Sequence, residues 1–525
     1  MNRAASVIPS SPDMMLPTRD THEWILLATG IGIAWILNRI IASRRRNPRR
    51  LPLPPGPRGW PIVGNSYQIP KTRPWEAYHS FCQEYGDLVY LNAMGQGILI
   101  VGSKRRAVDL FENRSTNYSD RPTIAVQDLA EMDWNLGFMN YGPIWRKYRR
   151  TFVHDFVGRS VLGQWHPIMY EERDRLISGL KTTPTAFYEH LKLFSGIVIT
   201  RPAYGFDDLQ KNEEMIRNSN NVVTMFGESR KPGKFLVNVL PILKHVPEWA
   251  PGAAFITHFK KIAALSRQVL NSPFDDAKAL FERGERSVFP SLAATLIDRL
   301  GDESDESRAD SESLAKGITA LTYFAGTGTI LGMAHALFLA LVAHPNAQRK
   351  AQQEVDSVVG RERLPLITDR PALPYCEAIL KEVGRWFTAV PVCTSHANRE
   401  DDEYDGYFIP KNTYILPLSW TIMHDSEVFE RPFDFIPERY LKDGRIDNSV
   451  PDANYAAFGY GRRICPGIDY SNDALFILLT GVLSTFTLSA PSDEKGNPIP
   501  PVFHQLNGAP VAPVAPFKCN ITVRT

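Results

Sequence analysis

Phe458-Gly-Tyr-Gly-Arg-Arg-Ile-Cys-Pro-Gly467 is the stretch from which the rest of this chain can be read. Gly459 and Gly461 permit a tight turn lying close against something flat. Pro466 suits the first turn of a helix, where a missing N–H costs nothing. The apolar run Ala474-Leu-Phe-Ile-Leu-Leu479 supplies that helix with a buried face. Cys465 is therefore expected on a loop at a helix N-terminus, where free N–H groups and the dipole favour a thiolate. With no second cysteine beside it, such a thiolate is set to ligate one metal axially. Haem iron fits best, because a cysteine ligand pushes electron density towards O–O cleavage. A buried structural cysteine on a glycine-rich turn is the plainer reading, and it would win without the spacing that follows.

Phe458, Gly461, Arg463, Cys465 and Gly467 match F-x-x-G-x-R-x-C-x-G at every fixed position. On these residues the chain resembles the cytochrome P-450 superfamily, from about residue 50 to the C-terminus. The resemblance implies a mainly α fold with a small β subdomain, a triangular prism of helices around haem b (iron protoporphyrin IX). Cys465 is the implied iron ligand, on a loop shaped by Phe458, Gly461 and Gly467. The implied reaction is a mixed-function oxidation, in which dioxygen takes two external electrons and one oxygen atom enters a C–H bond.

Composition agrees with a large globular enzyme. A chain of 525 residues, 43% hydrophobic and 22% charged, can bury a substantial core as one catalytic unit. A net charge of +2 gives no case for nucleic acid. The five cysteines are scattered and odd in number, so they form no disulfide framework, and the catalytic part should face a reducing compartment. The sequons at Asn113, Asn117 and Asn520 are then chance matches.

Residues 1–23 are polar and proline-bearing, and disorder is expected there. Residues 24–42 are apolar apart from Asn38 and Arg39, marginal but adequate for a spanning helix if that pair snorkels. A cleaved signal peptide fits less well, because a polar stretch precedes the apolar core and no A-x-A site is evident. Arg44, Arg45, Arg46, Arg49 and Arg50 follow at once, which keeps everything downstream cytosolic. The reading is a single-pass N-terminal anchor, in the endoplasmic reticulum membrane by resemblance. Residues 43–65 form a basic and proline-rich hinge, whose run 51–61 is too rich in proline for helix or central strand. Residues 66–525 are the catalytic domain.

Leu88-Val-Tyr-Leu91 and Gly97-Ile-Leu-Ile-Val-Gly102 read as paired strands, and most of the chain onward to residue 395 as helix. Residues 301–312 are acidic and poor in apolar side chains, which suggests a solvated loop before the next helix. That helix should run from about residue 310 to residue 343. Its G-x-G-x-x-x-G around Gly326 is not a dinucleotide fingerprint: the spacing is off by one and no acid follows at the right distance.

The centre of the same helix, Ala325-Gly-Thr-Gly-Thr329, resembles the family's oxygen-activation motif [AG]-G-x-[DE]-T. Gly326 is expected to let the helix pass close over the haem face. Thr329 is expected to bond back one turn and to manage protons. Gly328 stands where the family has Asp or Glu, so protons must come through Thr329 with water, or from an acid elsewhere. Glu382-Val-Gly-Arg385 places two charges on one helix face, which alone means little. Together with Pro432-x-x-Phe-x-Pro-x-Arg439-Tyr it resembles the family's buried Glu–Arg–Arg network, which supports the cysteine loop. Trp145-x-x-x-Arg149 matches the family's W-x-x-x-R, and with His396 and Arg463 it is implied to hold the haem propionates. An ordinary surface histidine is the alternative for His396. Arg146, Lys147 and Arg150 make a basic surface, either simply solvated or open to an acidic electron donor.

Substrate-facing residues are implied in 123–140, 321–329, 387–394 and 505–510. Ile124, Val126, Leu129, Phe138, Met139, Tyr323, Phe324, Val390, Val392 and Leu506 there are apolar or aromatic, which suits a hydrocarbon ligand and equally suits plain core packing. The resemblance is to fungal microsomal members of secondary-metabolite pathways. It implies a terpenoid substrate first, then a polyketide or an indole-type aromatic. No flavin or nicotinamide motif is present, so a separate NADPH–cytochrome P-450 reductase is the implied donor, with cytochrome b5 as an auxiliary. A reductant-independent isomerase or dehydratase, and a non-catalytic haem sensor, are the rival classes.

Overall fold

The computed structural model describes Gly30 and residues 44–230, 234–285, 287–301, 304–507 and 511–524. Apart from Gly30, the expected tail over 1–23 and anchor over 24–42 lie outside the described residues. The chain divides into two compact units, residues 1–53 with 401–409, and residues 54–400 with 410–525.

The smaller unit is a charge-matched clasp. Asp402–Tyr404 and Tyr407–Ile409 pair antiparallel across Asp405 (φ 51°) and Gly406 (φ 80°). Two positive φ values in succession are the geometry whose twist suits a two-residue hairpin. Arg46 pairs with Asp401, and Arg49 meets Glu403 at 2.8 Å. Two of the arginines that follow the expected anchor are thus held by acidic partners.

In the larger unit, the elements that build the site are, in chain order, β1 (Leu88–Ala93), β2 (Gln96–Val101), α1 (Pro143–Phe152), α2 (Phe187–Tyr204), α3 (Leu209–Ser229), α4 (Ala254–Glu282), α5 (Asp305–Ala343), α6 (Pro374–Phe387), β3 (His396–Ala397), β4 (Tyr414–Pro417) and α7 (Ile468–Thr485). The four strands form one sheet in the order β1-β2-β4-β3. β1 and β2 are antiparallel with Leu91 opposite Ile98, β2 and β4 are parallel with Ile98 opposite Tyr414, and His396 of β3 sits opposite Ile415. Alternate residues Val89, Leu91, Ile98 and Ile100 share one small core with Trp75 and Tyr78. Residues 54–65 are not a free connector. Tyr90 N–H donates to Pro55 O at 2.8 Å, and Asn65 exchanges hydrogen bonds with Asn92. The compact unit therefore begins at Pro54, ahead of the expected boundary at 66.

The second and larger core is helical, with α5 at its centre. Residues 336–342 of α5 are buried on every face, as expected of a helix surrounded by others. The segment Ser307–Ala343 is long and apolar enough to cross a membrane, the one such helix among the described residues, but 67% of its apolar window is buried inside the protein. It is a core helix. α5 starts at Asp305, so residues 305–312 are helical and not the expected loop. Acidic residues in a first turn are favoured by the helix dipole. Glu312, about two turns further in, is held by Lys278 of α4 at 2.8 Å and Lys316 at 3.3 Å.

Glu382 and Arg385 on α6 are completely buried. Arg385 Nε and Nη2 each donate to the Glu382 carboxylate at 2.8 Å, a bidentate pair. Arg439 Nε donates to both carboxylate oxygens at 3.1 Å, and Ile436 N–H to Oε1 at 2.8 Å. Arg385 Nη1 reaches the carbonyls of Met423 and Pro432, and Nη2 that of Asp434 as well. One carboxylate thus ties α6 to the stretch leading to the cysteine loop. Removing one partner of such a buried pair costs about 3–5 kcal/mol. Arg385→Ala should lower unfolding free energy by that amount in urea titration and yield little haem-loaded protein, and normal haem content in the variant would refute the assignment.

Candidate functional site

The cysteine loop is shaped by two left-handed glycines, Gly459 (φ 82°) and Gly461 (φ 54°). A Cβ on Gly461 would stand 2.0 Å from the Phe111 carbonyl oxygen, so only glycine fits both the conformation and the space. Gly461–Arg463 form a single tight turn, and the Cys465 N–H donates back to Phe458 O at 2.7 Å, closing the loop. α7 begins at Ile468. Pro466 is thus in the turn ahead of the helix and not in its first turn, with Gly467 as the N-cap.

Cys465 is solvent-accessible yet lies deep in the protein. Burial pushes its thiol up, against the Gly467 N–H and the Arg149 charge, which favour the thiolate. A further positive charge here, such as a metal's, would favour the thiolate. Among the described residues no cluster of three or more histidine, cysteine or acidic side chains is placed to hold a metal.

Around this loop lies a group of cations with few anions. Arg463 is buried, its Nε donating to Ser119 O at 2.8 Å and its Nη2 to Met139 O at 2.7 Å. Burial, then the neighbouring Arg121, push Arg463 down to about 8. Arg149 Nη1 donates to Ile464 O at 2.6 Å, joining α1 to the residue before Cys465. Trp145 of α1 lies between two guanidinium groups, with Arg463 4.6 Å and Arg149 5.9 Å from its ring centre. His396 is buried, and its Nδ1 lies 2.8 Å from Tyr118 O. A carbonyl only accepts, so Nδ1 carries the proton. Burial, followed by Arg121, pushes His396 well below its ordinary range. It is not a surface histidine.

Arg121 escaped the sequence reading. Its Nε donates to Gly137 O at 2.8 Å and its Nη1 to Thr394 O and Ser395 O at 2.9 Å each. Burial lowers it to about 10. The signal available was an arginine directly before Pro122, at the entry to residues 123–140. Asp120 is the acid acting on Arg121 and Arg463, and it already accepts from Arg399 at 2.9 Å. Buried cations need counter-charge. A ligand bearing two carboxylates beside a metal, as haem does, fits this donor set.

A sequence profile of the cytochrome P-450 family matches residues 54–509. This chain belongs to the cytochrome P-450 family. It is similar to cytochrome P-450 monooxygenase COX1 of Coprinopsis cinerea, 43% identical over 508 residues, covering 96% of this chain and 98% of that protein. COX2 of the same fungus is 36% identical over 506 residues, covering 96% and 94%. ClaR of Ampulloclitocybe clavipes, also a cytochrome P-450 monooxygenase, is 35% identical over 509 residues, covering 95% and 90%. The chain is thus an oxidoreductase of the haem-thiolate monooxygenase class, mainly α with a small β subdomain.

In this P-450 Ala325 and Thr329 lie one turn apart on α5. Thr329 Oγ1 donates to the carbonyls of Ala325 and Gly326, both at 3.1 Å. Ala325 is exposed although it lies mid-way along a core helix. Gly326 faces α2. A Cβ there would stand 3.0 Å from Ile199 Cδ1, so this glycine allows α5 and α2 to approach closely. Gly328 has open space beside it, with nothing within 4 Å of an added Cβ. Arg146, Lys147 and Arg150 are exposed on α1 as expected.

The implied substrate-facing residues divide. Phe138, Met139, Leu129 and Phe324 are half-buried, with Phe324 edge-on to Trp134 at 5.8 Å. Ile124 and Val126 are buried in the helical core, and Val392 packs on the sheet. Tyr323 donates to Val269 O of α4 at 2.6 Å. Leu506 is exposed, Val390 is half-buried, and 508–510 lie outside the described residues.

Gly461→Ala should cost at least about 1–2 kcal/mol from its positive φ alone, with the carbonyl clash in addition; equilibrium unfolding of the apoprotein will read the loss. Gly328→Asp should fold normally, with thermal stability unchanged or slightly raised, since helix-interior glycine is unfavourable by roughly 1 kcal/mol relative to alanine. The same variant should raise the ratio of product formed to NADPH consumed, and an unchanged ratio would show that the missing acid is irrelevant.

Proposed function

We propose that Cys465 ligates haem iron and that this enzyme inserts one oxygen atom from O2 into a C–H bond of a hydrophobic terpenoid intermediate. The observation that carries the reading is one accessible thiol on a glycine-shaped loop, bordered by Arg121, Arg149, His396 and Arg463 with little acid to balance them. When bound, haem supplies dioxygen activation, driven by electrons from a reductase.

The chain's own residues hold and shape that chemistry. Arg463, Arg121 and Arg149, with Trp145 and His396, hold the propionates. His396 serves only once it takes a second proton, and the nearby carboxylates would supply the driving force. The carbonyls of Ala325 and Gly326 keep the Thr329 hydroxyl oriented, so its Oγ1 can pass a proton between water and the site. Gly328 brings no acid, so water beside it must carry protons inward. Half-buried Phe138, Phe324, Leu129 and Met139 exclude bulk water and suit a hydrocarbon body.

Residues 24–42 anchor the enzyme in the endoplasmic reticulum membrane with the catalytic unit in the cytosol. The donor is an NADPH-dependent reductase that docks at the exposed Arg146, Lys147 and Arg150, with cytochrome b5 as an auxiliary. The resemblance of the cysteine-loop sequence to fungal members of secondary-metabolite pathways supports such a role, with a terpenoid ahead of a polyketide or an indole.

Two measurements on the reductase-coupled enzyme test this. The reduced carbon monoxide complex should show a strongly red-shifted Soret band that Cys465→His abolishes. Sesquiterpene hydrocarbons supplied with 18O2 should gain one labelled oxygen. Product that forms without reductant and carries no label would favour the isomerase or dehydratase reading, which the missing acid at Gly328 keeps in view.

A further inference from the structure

α3 ends at Ser229, and Arg230 caps it. The guanidinium carbon lies 4.4 Å from the Phe138 ring centre and 5.6 Å from that of Phe226, and the two rings meet edge to face at 5.2 Å. Nη1 is sealed from solvent and has no hydrogen-bond partner. Among the described residues no carboxylate acts on this arginine: burial, then Arg121, lower it to about 10, and only the Tyr414 phenol opposes them.

The ring faces and the C-terminal end of the α3 dipole account for part of this placement. Neither provides an acceptor for Nη1. A buried N–H left without a partner is destabilising, and a guanidinium fork is matched in shape by a carboxylate.

The position adjoins the cationic group around the cysteine loop, since Arg121 acts on Arg230. Phe138 lies between Gly137, whose carbonyl accepts from Arg121, and Met139, whose carbonyl accepts from Arg463. α3 itself packs on α4 and α5. The Ser229 carbonyl accepts from Asn238, whose Oδ1 in turn accepts from Val126 N–H, which fixes the end of α3 to residues 123–140.

We propose that Arg230 anchors a carboxylate on the substrate, so that this enzyme oxidises an amphipathic acid whose hydrocarbon body lies along half-buried Phe138. The proposal rests on the monooxygenase reading and narrows its substrate class. A neutral hydrocarbon would leave Nη1 unpaired and would gain nothing from this arginine.

Purified haem-loaded enzyme titrated with dodecanoic acid and with its methyl ester, then with abietic acid and methyl abietate, tests the proposal. Binding is read by equilibrium dialysis and by the shift of the haem absorption band. The acid of at least one pair should bind about ten-fold or more tightly than its ester. Arg230→Leu should remove that gap with ester binding nearly unchanged, and Arg230→Lys should keep part of it. Acids and esters that bind wild-type enzyme equally, or a gap that survives Arg230→Leu, would overturn the proposal; the wild-type comparison stands whether or not a variant folds. The red-shifted carbon monoxide band separates the two readings: its loss sinks the monooxygenase assignment, whereas its presence without acid preference sinks only the role of Arg230.

Discussion

The Glu382 carboxylate is the constraint on which the proximal half of this molecule rests. Completely buried, it accepts from Arg385, Arg439 and the Ile436 N–H. Such a charge is tolerated in a protein interior only when its lone pairs are matched by donors. Arg385 in turn holds three backbone carbonyls between Met423 and Asp434. The consequences reach the cysteine loop through ordinary hydrogen bonds. Ser419 Oγ donates to Ala456 O at 2.8 Å and lies 3.0 Å from the Tyr460 hydroxyl, and Tyr460 directly precedes Gly461. A loop with two left-handed glycines has little preference of its own, so this packing decides where Cys465 sits.

The opposite electrostatic situation holds around the loop. Arg121, Arg149, Arg463 and His396 converge with one nearby acid that is already shared with Arg399. Their donors are turned to backbone carbonyls, which satisfies hydrogen bonding without neutralising charge. A ligand that brings negative charge would therefore gain binding energy that the apoprotein forgoes, and by linkage it would stabilise the fold that binds it.

Much of this was legible because it depends on fixed spacing. The loop around Cys465, the pair Glu382 and Arg385, and the segment ending at Arg439 each show their chemistry in a short run of residues. Periodicity likewise found β1, β2 and the apolar part of α5. What escaped depends on direction in three dimensions. Gly326 and Ala325 are neighbours in sequence, yet about 100° of helical rotation turns one to α2 and leaves the other exposed. Tyr323 reads as a pocket residue until its hydroxyl is found on Val269. Arg121 and Arg230 carry no motif at all; only the absence of a buried acid beside them marks them out. The start of α5 was missed for another reason, since a run of acids reads as loop by composition while Glu312 is fixed by lysines on either side.

The parallel pairing of β2 with β4 sets the order in which this chain can complete itself. Ile98 waits for Tyr414, and nearly the whole helical body lies between them. Closing so long a loop is entropically unfavourable until that body has condensed. Arg121 comes early in the sequence, while His396, Arg463 and Cys465 come late. During synthesis the helices can pack as they emerge from the ribosome, but a porphyrin finds its full set of contacts only after the last of these residues has been released. On the proposed ligation by Cys465, cofactor capture is a late event in biogenesis, and a chain stalled before residue 465 would have nothing to grip the iron.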